Sequence, residues 1–371
     1  MTTIEAFALG FVEDPGYLDY GRVGPLSATV MAELQGGVDT LGKARFGSVA
    51  LLHDEAERLH AAAASLLGFP ADQIVTQPNT GTGLMHALFG ISGPVLISAA
   101  EFPSITLAAA RAAESLGRLE PVWMQSEHGR VTPGQVAEHL TDDTTAVVVS
   151  LVDSRTGYLT DIEGIRQVIG DRLLIVDAIQ GLGVVDAPYS VADVVASGGQ
   201  KWTRAGWGTG VLAMSERAIE RIEPVFSGAS GTDAFEPFDE IFPPTRGARA
   251  FTLANADRLA EAAFAAALEE ISEVGVAAIQ EAVSTQVDAV IELADEFSLA
   301  VASSRDPRER AGIVILAPEA DELTRLRASL FNHGVTVTTR GSVVRLSVHA
   351  VTADETLDML RGAFTEFARV G

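Results

Sequence analysis

From about residue 55 to residue 215 the chain alternates short, continuously apolar runs with stretches of helical period. Runs such as Ala146–Leu151 and Leu173–Asp177 show no polar alternation, so strands built from them need cover on both faces. Ile74–Thr76, Val95–Ser98, Val122–Met124, Asp193–Ala196 and Gly210–Met214 read as further short strands. Helical stretches over Glu55–Leu67, Thr82–Phe89, Ile105–Leu116, Pro133–Leu140 and Ile162–Ile169 lie between most of them. The alternation predicts an α/β domain with a three-layer, doubly wound, mostly parallel sheet.

The texture changes after about residue 225. Ser227–Thr245 is rich in Gly, Pro, Phe and acidic residues and reads as a long loop. A nearly unbroken helix signal then runs from Phe251 to Phe297. Strand Ile313–Leu316, helix Asp321–Phe331, strands Val335–Thr338 and Val343–Leu346 and a last helix follow. That helix is predicted to start at a capping box, with Thr352 as N-cap and Glu355 three residues on. A length of 371 residues suits two domains. The expected division is 1–250 for the large domain and 251–371 for a smaller α+β domain, with an arm over about 1–16 against the small one.

Charge and composition narrow the chemistry. Lys and Arg number 26 against 50 Asp and Glu, a net charge of −24, which opposes nucleic-acid binding. There is no cysteine, so disulfides, thiolate metal sites and a cysteine nucleophile are excluded. His53, His60, His86, His128, His139, His333 and His349 show no ligand spacing, and no metal site is expected. Apolar runs are strand-length, too short to span a membrane, and no basic residue precedes Arg22 as a secretory leader would require. A cytoplasmic protein is expected. Gly37–Lys43 has the spacing of a phosphate loop, but Ala44 replaces the magnesium-binding hydroxyl and no strand precedes it.

Ligands of doubly wound sheets bind beyond the carboxyl ends of the strands, and four unusual segments fall there. Asn79–Gly83 (NTGTG) places small residues between a strand and a helix, as an anion site or a plain turn would. Glu101–Ser104 (EFPS) puts the aromatic Phe102 at a strand end. Asp177 closes an apolar strand, so its carboxylate needs a cationic or hydrogen-bonded partner, and Gln180 follows. Lys201 lies in the glycine-rich ASGGQKWTRAGWGTGVL beside Trp202, where packing would desolvate its amine. A phosphate anchor, an aromatic plate, a carboxylate and a desolvated lysine together are the parts that hold pyridoxal 5′-phosphate (PLP), the lysine forming a Schiff base.

In wording and order these segments resemble the class V aminotransferase family of fold-type I PLP enzymes, a group that includes kynureninases, isopenicillin-epimerase-like proteins, cysteine desulfurases and C–S lyases. The likeness runs from about Tyr17 to His349 and is strongest in VDAIQGLG and GGQKWTRAGWGTG. It implies Lys201 as the Schiff-base lysine and Asp177 as partner of the pyridine nitrogen. Gln180 is implied at the phenolic oxygen and Phe102 on the ring face. Thr80 and Gly81, with Ser197 or Gln200, are implied at the phosphate. Arg345 in VRLSVH is implied as anchor of the substrate α-carboxylate, a task suited to a planar guanidinium. Ser154 and Thr156 match a stretch near the cofactor. Ala254 and Asn255 stand where many relatives carry a Gly-Thr pair reaching the neighbouring subunit's phosphate, and HAVT replaces a His-x-Tyr-Asn ending.

The resemblance implies an amino-acid substrate, a homodimer, and transamination or Cβ–X cleavage by way of an α-carbanion. Epimerisation is the alternative within the family. Outside it stand a nucleotide-binding oxidoreductase, which leaves Lys201 idle, and a non-catalytic protein of the same fold.

Overall fold

The computed structural model describes residues 3–126, 129–233, 239–253 and 255–369. His128, Ala254 and the centre of the Ser227–Thr245 loop lie outside the described residues. Seven strands form the main sheet: β1 (Ile74–Thr76), β2 (Gly93–Ser98), β3 (Leu119–Met124), β4 (Ala146–Ser150), β5 (Leu173–Asp177), β6 (Val194–Gly198) and β7 (Gly210–Met214). Their order is β1-β7-β6-β5-β4-β2-β3, with β7 antiparallel to both neighbours and the other pairs parallel.

Strands β4 and β5 are buried throughout because each divides its side chains between two cores. Val147, Val149, Leu174 and Val176 point to one core, and Ala146, Val148, Leu173 and Ile175 to the other. The helices before the middle of the chain are α1 (Ile4–Ala8), α2 (Ala28–Lys43), α3 (Glu55–Leu67), α4 (Thr80–Gly90), α5 (Pro103–Leu116), α6 (Pro133–His139) and α7 (Ile162–Ile169). Residues of α4 and α5 fill the second core, while α3, α6 and α7 fill the first. After β7 come α8 (Glu216–Arg221), α9 (Arg258–Val274) and α10 (Val276–Glu296). Helix α9 packs along α2 and α3.

A second, antiparallel sheet has the order β8-β10-β9, from β8 (Ile313–Leu316), β9 (Thr338–Arg340) and β10 (Val343–Ser347). Helices α11 (Leu323–Asn332) and α12 (Asp354–Arg369) pack on one another beside it. The N-terminal segment joins this sheet through bridges Tyr17–Thr336 and Asp19–Ser347. No helix among the described residues is long and apolar enough to cross a membrane.

Four local features differ from expectation. The long helical stretch starts only at Arg258, capped by Asp257, and breaks at Gly275, whose φ of +92° ends α9 and leads into α10. Strand β9 begins three residues late, because Thr336 pairs with the N-terminal segment instead of with β10. Thr352 does not cap α12: its hydroxyl accepts the His349 N–H at 3.0 Å, and the helix starts at Asp354. A capping box does form at Thr132 and Gln135, at the head of α6. The Gly37–Lys43 stretch is the end of α2, so it makes no phosphate loop.

Candidate active site

Asp177 ends β5 and pairs in register with Ser150 at the end of β4. Its carboxylate accepts the Ile179 N–H at 3.0 Å. Burial pushes it up to about 6, against the opposing pull of that N–H and of the Lys201 charge. Lys201 lies in the loop from β6 to β7, with its ammonium withdrawn from bulk water. Burial lowers it to about 8; Asp177 opposes the shift, and the charges of Arg345 and Arg340 add to it. Its Nζ stands 5.6 Å from the centre of the Phe102 ring. Phe102 is fixed there because it precedes Pro103, which opens α5. Beside it, Glu101 accepts the Ser150 N–H at 3.0 Å and the Ser150 hydroxyl at 2.5 Å. Burial raises Glu101 to about 7, with repulsion from Asp177 and Asp153 adding to it.

The start of α4 is open. Asn79 caps the Thr82 N–H at 2.9 Å, but the Thr80 and Gly81 amides find no acceptor among the described residues. The Thr80 hydroxyl is buried without a partner. A Cβ placed on Gly198 would meet Gln200 Oε1 at 2.4 Å and Thr80 Oγ1 at 3.1 Å. Glycine there keeps clear a gap faced by both side chains. An orphaned hydroxyl, two free amides at a helix N-terminus and a carboxamide are a donor set for a phosphate. Ser197 is buried beside them, its hydroxyl donating to the Gly198 carbonyl at 3.2 Å.

The Lys201 loop is fastened to the N-terminal segment. The Gly24 N–H donates to the Gln200 carbonyl at 2.8 Å, and Arg204 donates to the Pro25 carbonyl at 2.9 Å and to Glu13 at 2.8 Å. Gln180 bridges the same parts. Its oxygen accepts from the Trp202 indole at 2.8 Å, and its nitrogen donates to the Gly21 carbonyl at 2.9 Å, leaving one hydrogen for a ligand. His349 Nδ1 accepts the Ala350 N–H, so its Nε2 proton faces the Trp202 carbonyl at 3.0 Å. Burial lowers this histidine to about 3, keeping it neutral.

Arg345 sits on β10, the central strand of its sheet, and not on an edge. Its guanidinium reaches Asp19 at 3.3 Å, the Ser154 carbonyl at 3.2 Å and the Thr338 hydroxyl at 3.4 Å, while its Nε is buried without a partner. Ser154 therefore meets Arg345 through its backbone, and the Thr156 hydroxyl is spent on Asp153 at 2.9 Å. Asn255 is exposed, with φ +54°, and its side chain makes no hydrogen bond to this cluster among the described residues. Sequence reasoning missed Asp19, Glu101 and Arg340. Glu101 was accessible, as an acid directly behind an apolar strand; Asp19 was not, since its partner lies 326 residues away.

Comparison with known proteins places this geometry. A kynureninase from Deinococcus radiodurans is 30% identical over 254 residues, 65% of this chain and 60% of that protein. The chain thus matches less than two thirds of that relative's length. Among solved structures, an apo cysteine desulfurase from Thermococcus onnurineus superposes with a TM-score of 0.85 at 18% identity, covering 96% of this chain and 95% of that one. A lysine-to-alanine mutant of C-DES with glycine covalently linked to the PLP cofactor superposes with a TM-score of 0.84 at 18% identity, covering 96% of each chain. The mostly parallel sheet and the small second sheet are thus the fold of fold-type I PLP enzymes. The family model for Aminotransferase class-V matches residues 47–366, which span every strand of both sheets, and the chain belongs to that family.

Proposed function

We propose that this protein is a PLP-dependent enzyme that acts on an α-amino acid, by transamination or by cleavage of a bond at Cβ. The observation that carries the reading is Lys201, its ammonium withdrawn from water between Asp177 and the Phe102 ring. The donor set at Thr80, Gly81 and Gln200 supports it. PLP, when bound, supplies an aldehyde that condenses with amines and a protonated ring that draws electrons from the substrate α-carbon.

The chain's own residues divide the work. Thr80, Gly81 and Gln200, with Ser197 behind them, hold the phosphate. Phe102 covers one ring face, and Gln180 offers its free hydrogen to the phenolic oxygen. Asp177 keeps a proton on the ring nitrogen; its position in a buried strand end makes that charge pair strong. Lys201 would hold the cofactor through its aldehyde and would serve as general base at the substrate α-carbon, a role suited to an amine near neutrality. Arg345 orients the α-carboxylate. The absence of cysteine leaves no thiol to accept sulfur, so any sulfur released leaves directly.

The test is purification with added PLP. A yellow protein that borohydride bleaches, with a pyridoxyl group fixed on Lys201, is the expected result; a colourless protein overturns the reading. A panel of amino acids scored for pyruvate, alanine, sulfide and keto acids then separates transamination from cleavage. A homodimer belongs to the same proposal. Met31, Val38 and Leu41 on α2, with Phe46 and Leu51 beyond it, expose apolar side chains suited to a second copy. Asn255, exposed at the surface, would be the residue offered to that copy's phosphate site. Light scattering that finds a fully active monomer would refute this part.

A further inference from the structure

Strands β9 and β10 form a hairpin closed by Gly341 and Ser342, with Arg340 paired to Val343 and Thr338 paired to Arg345. Direct partners in an antiparallel pair share a face, as do residues two apart. Thr338, Arg340 and Arg345 are therefore on one face, Arg340 one step nearer the tip. Thr338 already touches both Asp19 and Arg345 on that face. Gly341 adopts φ +56°, as a tight hairpin turn demands, so the tip is held in a fixed register.

The two arginines differ in what they hold. Arg345 is buried and paired with Asp19. The Arg340 guanidinium is exposed and makes no hydrogen bond or ion pair among the described residues. Its charge is nevertheless felt at both Lys201 and Arg345, which it helps to lower. Arg22, 74% exposed, flanks Arg345 from the N-terminal segment and stands 4.0 Å from Asp19. Around Arg345 the charges of Arg340 and Arg22 stand against Asp19, in a chain whose net charge is −24. A local cationic excess in so acidic a protein draws anions into the site. One α-carboxylate answers Arg345 and leaves Arg340 without an anion.

We propose that the site prefers amino acids with a second acidic group on the side chain, which Arg340 receives at the hairpin tip. This rests on the reading of Arg345 as the α-carboxylate anchor. Succinate and glutarate, which carry two carboxylates and no amine, mimic both charges without reacting, and butyrate mimics one. Calorimetric titration of the PLP-loaded protein should find the diacids bound about tenfold or more tightly than butyrate, the scale of one charge-assisted hydrogen bond. Arg340→Gln should remove most of that advantage and weaken butyrate far less than the diacids, while Arg340→Lys should keep part of it. Arg340 is exposed, so neither variant threatens folding. Equal binding of diacids and butyrate by the wild type, or equal weakening of both by Arg340→Gln, overturns the proposal and leaves the amino-acid reading standing. Failure of every acid to bind, together with no borohydride-reducible colour, refutes both.

Discussion

At the carboxyl edge of the seven-stranded sheet, Thr80 holds a buried hydroxyl without a partner and Lys201 faces the Phe102 ring, whereas on the three-stranded sheet Arg345 already has Asp19, Thr338 and the Ser154 carbonyl and keeps only its Nε unpartnered. The first region is left open by its own fold: strand register sets Asp177 and Ser150 side by side, and glycine at 198 keeps the gap clear. The second is closed on itself by an ion pair between opposite ends of the chain. A ligand of the first region therefore supplies missing partners. A ligand of the second must compete with partners already present. On the proposed function, affinity would reside mainly with the cofactor, and discrimination among substrates with the small sheet.

The sharpest way to break this contrast is at the open region. Lys201→Ala should lower turnover by about 10⁴-fold or more, and Asp177→Ala by about 10²- to 10⁴-fold with cofactor still bound. Near-normal turnover in either, measured with the best amino acid of the panel, removes the assigned role. At the closed region, Asp19→Ala leaves a buried arginine without its anion, a loss of about 3–5 kcal/mol by the usual cost of breaking buried pairs. Thermal or denaturant unfolding should show that loss, and added succinate should restore more stability to the variant than to the wild type. Equal rescue in both would show that Asp19 does not occupy the ligand's place.

Smaller effects come from protonation. Glu101 titrates near 4.5 when unfolded and at about 7 when folded, so the folded protein binds the extra proton between those values. Its contribution to stability is present below about 4.5 and is lost as pH rises toward 7. Glu101→Gln should flatten that decline in the cofactor-free protein; an unchanged slope counts against a buried, raised carboxyl. The mildest effect is on rate. Without cofactor, Lys201 should react with an added aldehyde with a midpoint near pH 8, where an ordinary lysine's reactivity climbs to about 10.5.

Much of this was legible in the residues. Continuous apolar runs foretold the buried sheet, and β1, β5, β7, β8, α3 and α7 begin and end where the pattern places them. Lys201 and Asp177 were legible because glycines and an apolar strand surround charged groups that solvent would otherwise claim. What escaped notice depended on distant chain. The delayed start of β9 follows from Tyr17, not from anything in residues 335–338. The Gly275 break was lost among helix-forming neighbours, and Thr352 looked like a cap although its hydroxyl is taken by the His349 N–H three residues upstream. Asp19 carried no local mark of its pairing.

The span between Asp19 and Arg345, 326 residues, also orders events during synthesis. A ribosome delivers the acid long before the base, so Asp19 waits for its cation until β10 has emerged, although its neighbours Gly21, Gly24 and Pro25 already have partners in Gln180, Gln200 and Arg204. A chain cut short of β10 lacks Arg345 and the seat for its own beginning. A polypeptide interrupted before Arg345 would leave Asp19 buried without its cation.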